Sequence, residues 1–211
     1  ADSTAAHILN AARRISVSRD RLMDGNFEMN GLRPMLRLEN STICFVGFGN
    51  IARNLYRKMR AFFGHVVAVD PYITDRSMYP DVEFLELHEA LSRADVVTMH
   101  LQLTPATRGI IGEQEFQSMK PGVIFVNTAR GGLVDEAALM RALDSGRISY
   151  CALDVLGTEN FSESPLLHRE NVILTPHISW CSEAALAELQ KKTAQNVVET
   201  FLHGEPIYRA V

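Results

Sequence analysis

Residue types that hold charge or exchange protons recur directly after short apolar runs. Arg130 follows Val123–Asn127, and Asp154 follows Ile148–Leu153 with Glu159 five residues on. His177 follows Val172–Leu174. Singly each has a plain explanation: a polar loop, a turn cap, a solvated charge, a satisfied imidazole. A second feature changes their weight. Residues 42–53, TICFVGFGNIAR, carry the spacing G-x-G-x-x-A at Gly47, Gly49 and Ala52, and Asp70 stands 21 residues after Gly49. Gly47 allows a tight strand-to-helix turn, and Gly49 lets a pyrophosphate approach the amides at the helix start. Ala52 allows close packing of helix on sheet, and an acid at Asp70 can accept hydrogen bonds from ribose hydroxyls. This pattern predicts dinucleotide binding. The charge of Asp70 opposes a 2′-phosphate and so favours NAD over NADP, with Arg76 the nearby cation that works the other way.

The elements that must position these residues alternate in kind. Short β-branched runs occupy 42–46, 65–69, 82–85, 96–100, 123–127, 148–153 and 172–174, with amphipathic segments at 50–63, 87–94 and 135–144. Continuous apolar strands separated by helices predict a doubly wound α/β fold of the Rossmann type, a parallel sheet with helices on both faces. In such sheets ligands gather at the carboxyl ends of the strands, which would bring Arg130, Asp154, Glu159 and His177 to the rim of the glycine turn. Residues 3–15 read as a helix with Ser3 or Thr4 placed to cap it, 18–40 as a connector with room for one short helix, and 182–202 as a long helix stopped by Gly204 and Pro206.

Composition excludes other classes. The 211 residues are 46% hydrophobic and carry a net charge of −4, so no basic field exists to bind nucleic acid. No apolar run approaches a membrane span, and no secretory leader is visible at the start. The three cysteines, Cys44, Cys151 and Cys181, fit no metal or redox spacing and read as structural. A cytoplasmic protein with no metal is the expectation.

Several stretches resemble the D-isomer-specific 2-hydroxyacid dehydrogenases: VGFGNIARNL, VDPY, HLQLTPATRGII, ALDV, NVILTPHIS and, most specifically, MKPGVIFVNTARGGLVDEAALMRAL. The resemblance implies that 1–211 is an NAD-binding domain lacking most of the amino-terminal substrate domain. In it, 1–16 is the interdomain linking helix and 182–203 a carboxyl-terminal helix directed toward that missing part. It implies hydride transfer between NAD and a D-2-hydroxy acid or 2-keto acid. Arg130 would hold the substrate carboxylate and C2 oxygen, His177 would act as general acid/base, and Glu159 would pair with His177. Asp154 would meet the nicotinamide carboxamide, and Asn50 and Ile51 the pyrophosphate beside Gly47, Phe48 and Gly49. His100, Leu101, Thr107, Thr128 and Ala129 would line the cleft, with Trp180 near the nicotinamide. The chain departs from the common pattern at Ala52, Gln102, Leu156, Asn160 and Trp180.

The resemblance further implies a homodimer formed through this domain by the first helix and the Arg21–Asn40 segment. There Met23, Phe27, Met29, Leu32 and Met35 either meet a partner or pack on their own chain. An NAD(H)-binding, corepressor-like sensor is the alternative class. A hydrolase or transferase using bound NAD should lack the pairing of Arg130 with His177.

Overall fold

The computed structural model describes residues 1–157 and 161–208, and these fall into two units, Ala1–His177 and Ile178–Val211. In chain order the first unit runs α1 (Asp2–Arg13), α2 (Ile15–Met23), β1 (Thr42–Val46), α3 (Asn50–Met59), β2 (His65–Val69), β3 (Val82–Phe84) and α4 (Leu87–Arg93). It continues through β4 (Val96–Met99), α5 (Glu113–Ser118), β5 (Val123–Asn127), α6 (Glu136–Asp144), β6 (Ile148–Leu153) and β7 (Val172–Leu174). The second unit holds α7 (Glu183–His203), capped by the Ser182 hydroxyl on the Ala185 N–H and ended by Gly204 at φ 80°.

All seven strands are parallel, in the order β3-β2-β1-β4-β5-β6-β7. Successive strand residues face opposite ways, so the central strands feed two cores, while the edge strand β3 turns Val82 and Phe84 to one core and Glu83 to solvent. Ile43, Phe45, Val96, Ile124 and Ala152 pack with α1 and α3 on one face. Cys44, Val97, Met99, Phe125 and Cys151 pack with α4, α5 and α6 on the other. Burial on both faces is why the central strands read as unbroken apolar runs. The Cys44 and Cys151 thiols are fully buried, and burial pushes the Cys44 thiol up to about 12. Cys181 departs from expectation: it is exposed and has no core role.

The amino-terminal segment corrects two further expectations. Neither Ser3 nor Thr4 caps α1; its N-cap is Ala1, with no side-chain bond, and Thr4 is buried. The helix breaks at Arg14, which takes the left-handed conformation at φ 55° without being glycine. The guanidinium compensates by binding the Ala11 and Pro34 carbonyls and lying 4.2 Å over the Tyr150 ring. In the connector, Leu32 is buried and Met35 packs on the core, whereas Met23, Phe27 and Met29 are exposed.

Candidate active site

The order of the sheet reverses between β1 and β4, and the crevice outside their carboxyl ends is where this architecture receives ligands. Gly47 leaves β1 at φ 91°, and a Cβ there would come within 2.9 Å of the His100 backbone. Only glycine fits both demands. Gly49 is the N-cap of α3 and has open space where a side chain would stand. The first turn of α3 holds no acidic residue, so its amide N–H groups keep an uncompensated positive field. Asn50 and Ile51 are exposed beside it, while Ala52 is buried against the sheet. This is a cradle shaped for a phosphate chain.

Phe48 belongs to the support of that cradle. Its ring is fully buried and meets Phe45, Tyr79 and Phe84 edge-on. Its N–H donates to Asp70 Oδ2 at 2.8 Å, and its carbonyl accepts from Arg53 Nε at 2.9 Å. Asp70 Oδ1 accepts from the Tyr72 N–H. Each carboxylate oxygen keeps a lone pair for a hydroxyl.

Asp70, Leu101 and Thr107 line one cleft of about 540 Å³, together with Arg76, Phe84 and Ile110. The Thr107 hydroxyl holds that wall by donating to the Gln102 carbonyl at 2.6 Å. Arg76 lies 4.8 Å over the Phe84 ring. A smaller cavity of about 310 Å³, between Arg14 and Tyr150, opens at the amino ends of the strands, away from the glycine turn. His100 does not project as a free imidazole. Its ring stacks on Phe45 and its Nε2 lies 3.0 Å from Thr98 Oγ1; burial pushes its pKa down to about 3.

The loop after β5 is shaped by Asn127, a buried residue that sequence reasoning passed over as a strand end. Its Nδ2 donates to the Arg130 carbonyl and its Oδ1 accepts the Ala129 N–H. Thr128 Oγ1 lies 2.8 Å from Thr4 Oγ1 on α1. Arg130 itself is exposed; its Nη1 donates to the Ala129 carbonyl, and no carboxylate among the described residues pairs with it. At Gly131 a Cβ would overlap the Leu156 carbonyl and the Gly157 nitrogen, so the main chains of the loops after β5 and β6 touch there.

Asp154 is fully buried and accepts a 2.5 Å hydrogen bond from Thr175 Oγ1, which also lies 3.2 Å from His7 Nε2. His177 is exposed and holds the left-handed conformation at φ 53°, its N–H donating to the Thr175 carbonyl. Arg130 and His177 therefore sit on one rim, after β5 and β7. Two strand spacings amount to about 10 Å. Glu159 lies outside the described residues. Trp180 is exposed and belongs to the second unit. His7 and Thr4 were also missed. Their signal was a polar residue within the apolar stripe of α1.

The glycine cradle, the acid after β2 and the cleft between them define a dinucleotide-binding α/β domain. Comparison with known proteins narrows this. The family described as D-isomer specific 2-hydroxyacid dehydrogenase, NAD binding domain, matches residues 5–179, and the chain belongs to that family. D-3-phosphoglycerate dehydrogenase of Mycobacterium tuberculosis is 36% identical over the whole chain, which spans 40% of that relative's length. Hydroxypyruvate reductase of Blautia hydrogenotrophica is 35% identical over 82% of the chain and 54% of the relative. Among solved structures, D-2-hydroxyisocaproate dehydrogenase superposes with a TM-score of 0.89 at 27% identity, covering 99% of this chain and 67% of that one. D-lactate dehydrogenase from Lactobacillus jensenii, solved with NAD+, gives 0.87 at 25% identity over 100% of this chain and 67% of that one. The cofactor of this domain is NAD, and the open Cβ position at Gly49 and the lone pairs of Asp70 fit it.

Proposed function

We propose that this domain serves an NAD-dependent oxidoreductase that interconverts a D-2-hydroxy acid and a 2-keto acid. The observation that carries the reading is the placement of the Arg130 guanidinium, which pairs with no carboxylate among the described residues, and an exposed imidazole, His177, on the same strand-end rim as the glycine cradle. When bound, NAD supplies hydride acceptance and donation. The chain supplies the rest. Gly47, Gly49, Asn50 and Ile51 receive the pyrophosphate, Asp70 the ribose, and Leu101, Thr107, Thr128 and Ala129 the flanks. Asp154, fully buried behind the Thr175 hydroxyl, would act on the nicotinamide end through its charge. Arg130 grips the acid's carboxylate and C2 oxygen through its planar fork. His177 Nε2 or Nδ1 exchanges the proton on that oxygen, and Glu159 is the residue that the family resemblance pairs with it.

A homodimer through this domain is the assembly we infer, supported by the exposed Met23, Phe27 and Met29 beside the packed Leu32 and Met35.

The test is NADH titration by fluorescence, followed by NADH oxidation with a panel of 2-keto acids including pyruvate and hydroxypyruvate. Saturable binding that survives Arg130→Gln and His177→Gln, with oxidation lost in both, supports the reading. Absence of binding at millimolar NADH removes it.

A further inference from the structure

His7 stands in the apolar stripe of α1, between the buried Thr4 and Ile8, where a hydrocarbon side chain is expected. It is nearly fully buried and its Nε2 meets Thr175 Oγ1 at 3.2 Å, while the same hydroxyl donates to Asp154 Oδ1 at 2.5 Å. A hydroxyl has one proton. Since that proton lies on the bond to the carboxylate, Thr175 can only accept from His7, and His7 must carry its hydrogen on Nε2. The chain thus runs in one direction, from His7 Nε2–H to Thr175 Oγ1–H to the Asp154 carboxylate. A further proton on His7 would enter at Nδ1. Both hydrogen bonds would stay as they are, and only the charge of the network would change.

We propose that His7 is a positioning residue for the nicotinamide end of the cofactor site, and that its charge state sets how strongly the site distinguishes oxidised from reduced cofactor. This rests on the reading of Asp154 as the carboxylate behind the nicotinamide end, where, being fully buried, it acts through its charge. The oxidised nicotinamide ring is a cation and the reduced ring is neutral. Neutral His7 leaves the full negative charge of Asp154 acting on the ring, which favours NAD+. Protonated His7, two hydrogen bonds away, offsets that charge and disfavours NAD+ relative to NADH.

The charged and titratable groups on the elements around α1 are few. Lys58 of α3 pairs with Asp2 at the helix start. Arg53 and Arg57 of α3 bind the Phe48 carbonyl and Asn54. Arg14 and Tyr150 meet at the other end of the helix. β5 carries no charged residue, and α2 contributes Arg19, Asp20 and Arg21. Asp154 and His177 follow β6 and β7. Of these, Asp154 is the charge that acts on His7, opposing the burial that lowers its pKa.

The experiment compares Kd for NAD+ and NADH across about pH 5 to 8, the range in which an imidazole titrates, for the wild type, His7→Gln, His7→Leu and Thr175→Val. Gln keeps an N–H donor toward Thr175 but cannot titrate. For the wild type the ratio Kd(NAD+)/Kd(NADH) should rise roughly five-fold from the top of that range to the bottom. In His7→Gln the affinities at the upper end should stay near wild type while the rise flattens. His7→Leu and Thr175→Val should weaken both cofactors and flatten the ratio, with folding checked by circular dichroism. Equal slopes in wild type and His7→Gln would overturn the proposal. Failure of the wild type to bind NADH at all would instead overturn the assignment of the site.

Discussion

The carboxylate of Asp70 accepts the amide proton of Phe48 at 2.8 Å, across 22 residues of chain. The acid that would select the ribose is therefore also a strut of the turn that would hold the pyrophosphate. Asp70→Ala should cost about 1 kcal/mol of stability for the lost charge-assisted bond, measured by urea unfolding, and weaken NADH roughly ten-fold. It should weaken NADPH less, because Arg76 lines the same cleft. Equal losses for the two cofactors would show that Asp70 takes no part in their discrimination.

The two glycines of the cradle should separate folding from binding. Gly47→Ala puts a side chain on a backbone at φ 91° and against the His100 carbonyl carbon at 2.9 Å. A loss of about 2 kcal/mol or more in unfolding free energy is expected. Gly49→Ala meets nothing and has φ −76°, so its unfolding curve should match wild type while NADH affinity falls by roughly ten-fold or more through occlusion.

Stability should fall as acid is added below about pH 6.5. Burial lowers the pKa of His100, to about 3, and that of His7. In the unfolded chain these imidazoles take up protons near their ordinary value, while in the folded chain His100 stays neutral and His7 takes up its proton only at lower pH. The unfolded state then binds more protons, and acid favours it. The stabilisation is complete above the unfolded pKa and declines by up to about 1 kcal/mol per pH unit for His100. Urea midpoints measured from neutral to mildly acid pH check this, and His100→Asn should make the decline shallower.

Asn127 should matter more than its place at a strand end suggests. Asn127→Ala releases the Arg130 carbonyl and the Ala129 N–H and leaves a void in a fully buried position. About 2 kcal/mol of stability should be lost, with NADH affinity falling as the Thr128–Arg130 backbone loosens. An unchanged affinity would place that loop outside the cofactor cleft.

The central strands were legible from sequence because burial on both faces leaves no alternation to decode, and the edge strand β3 because it alternates, with Glu83 exposed between Val82 and Phe84. All seven lie where the apolar runs predicted, within a residue or so at their ends. Helix α5 was not legible: its six residues carry a single buried side chain, Phe116, too few to show a period. The short helix α2 starts at Ile15, ahead of the connector read at 18–40 and directly after the break at Arg14, and it too has one buried residue, Val17. The glycine turn was legible because its spacing is a backbone requirement. The fate of Phe48 was not, since a fingerprint does not tell which residue faces the ligand and which the core. Thr4, His7, Asn127 and Thr175 act through partners distant in the chain, a relation that no local pattern encodes.

At Gly131 two loops cross with nothing between them but main chain. Such a crossing has no compliance: no rotamer can turn aside to absorb a push. A displacement of the Leu156 main chain presses on the Gly131 backbone next to Arg130, so the crossing links residues 156–157 to the stem of that guanidinium.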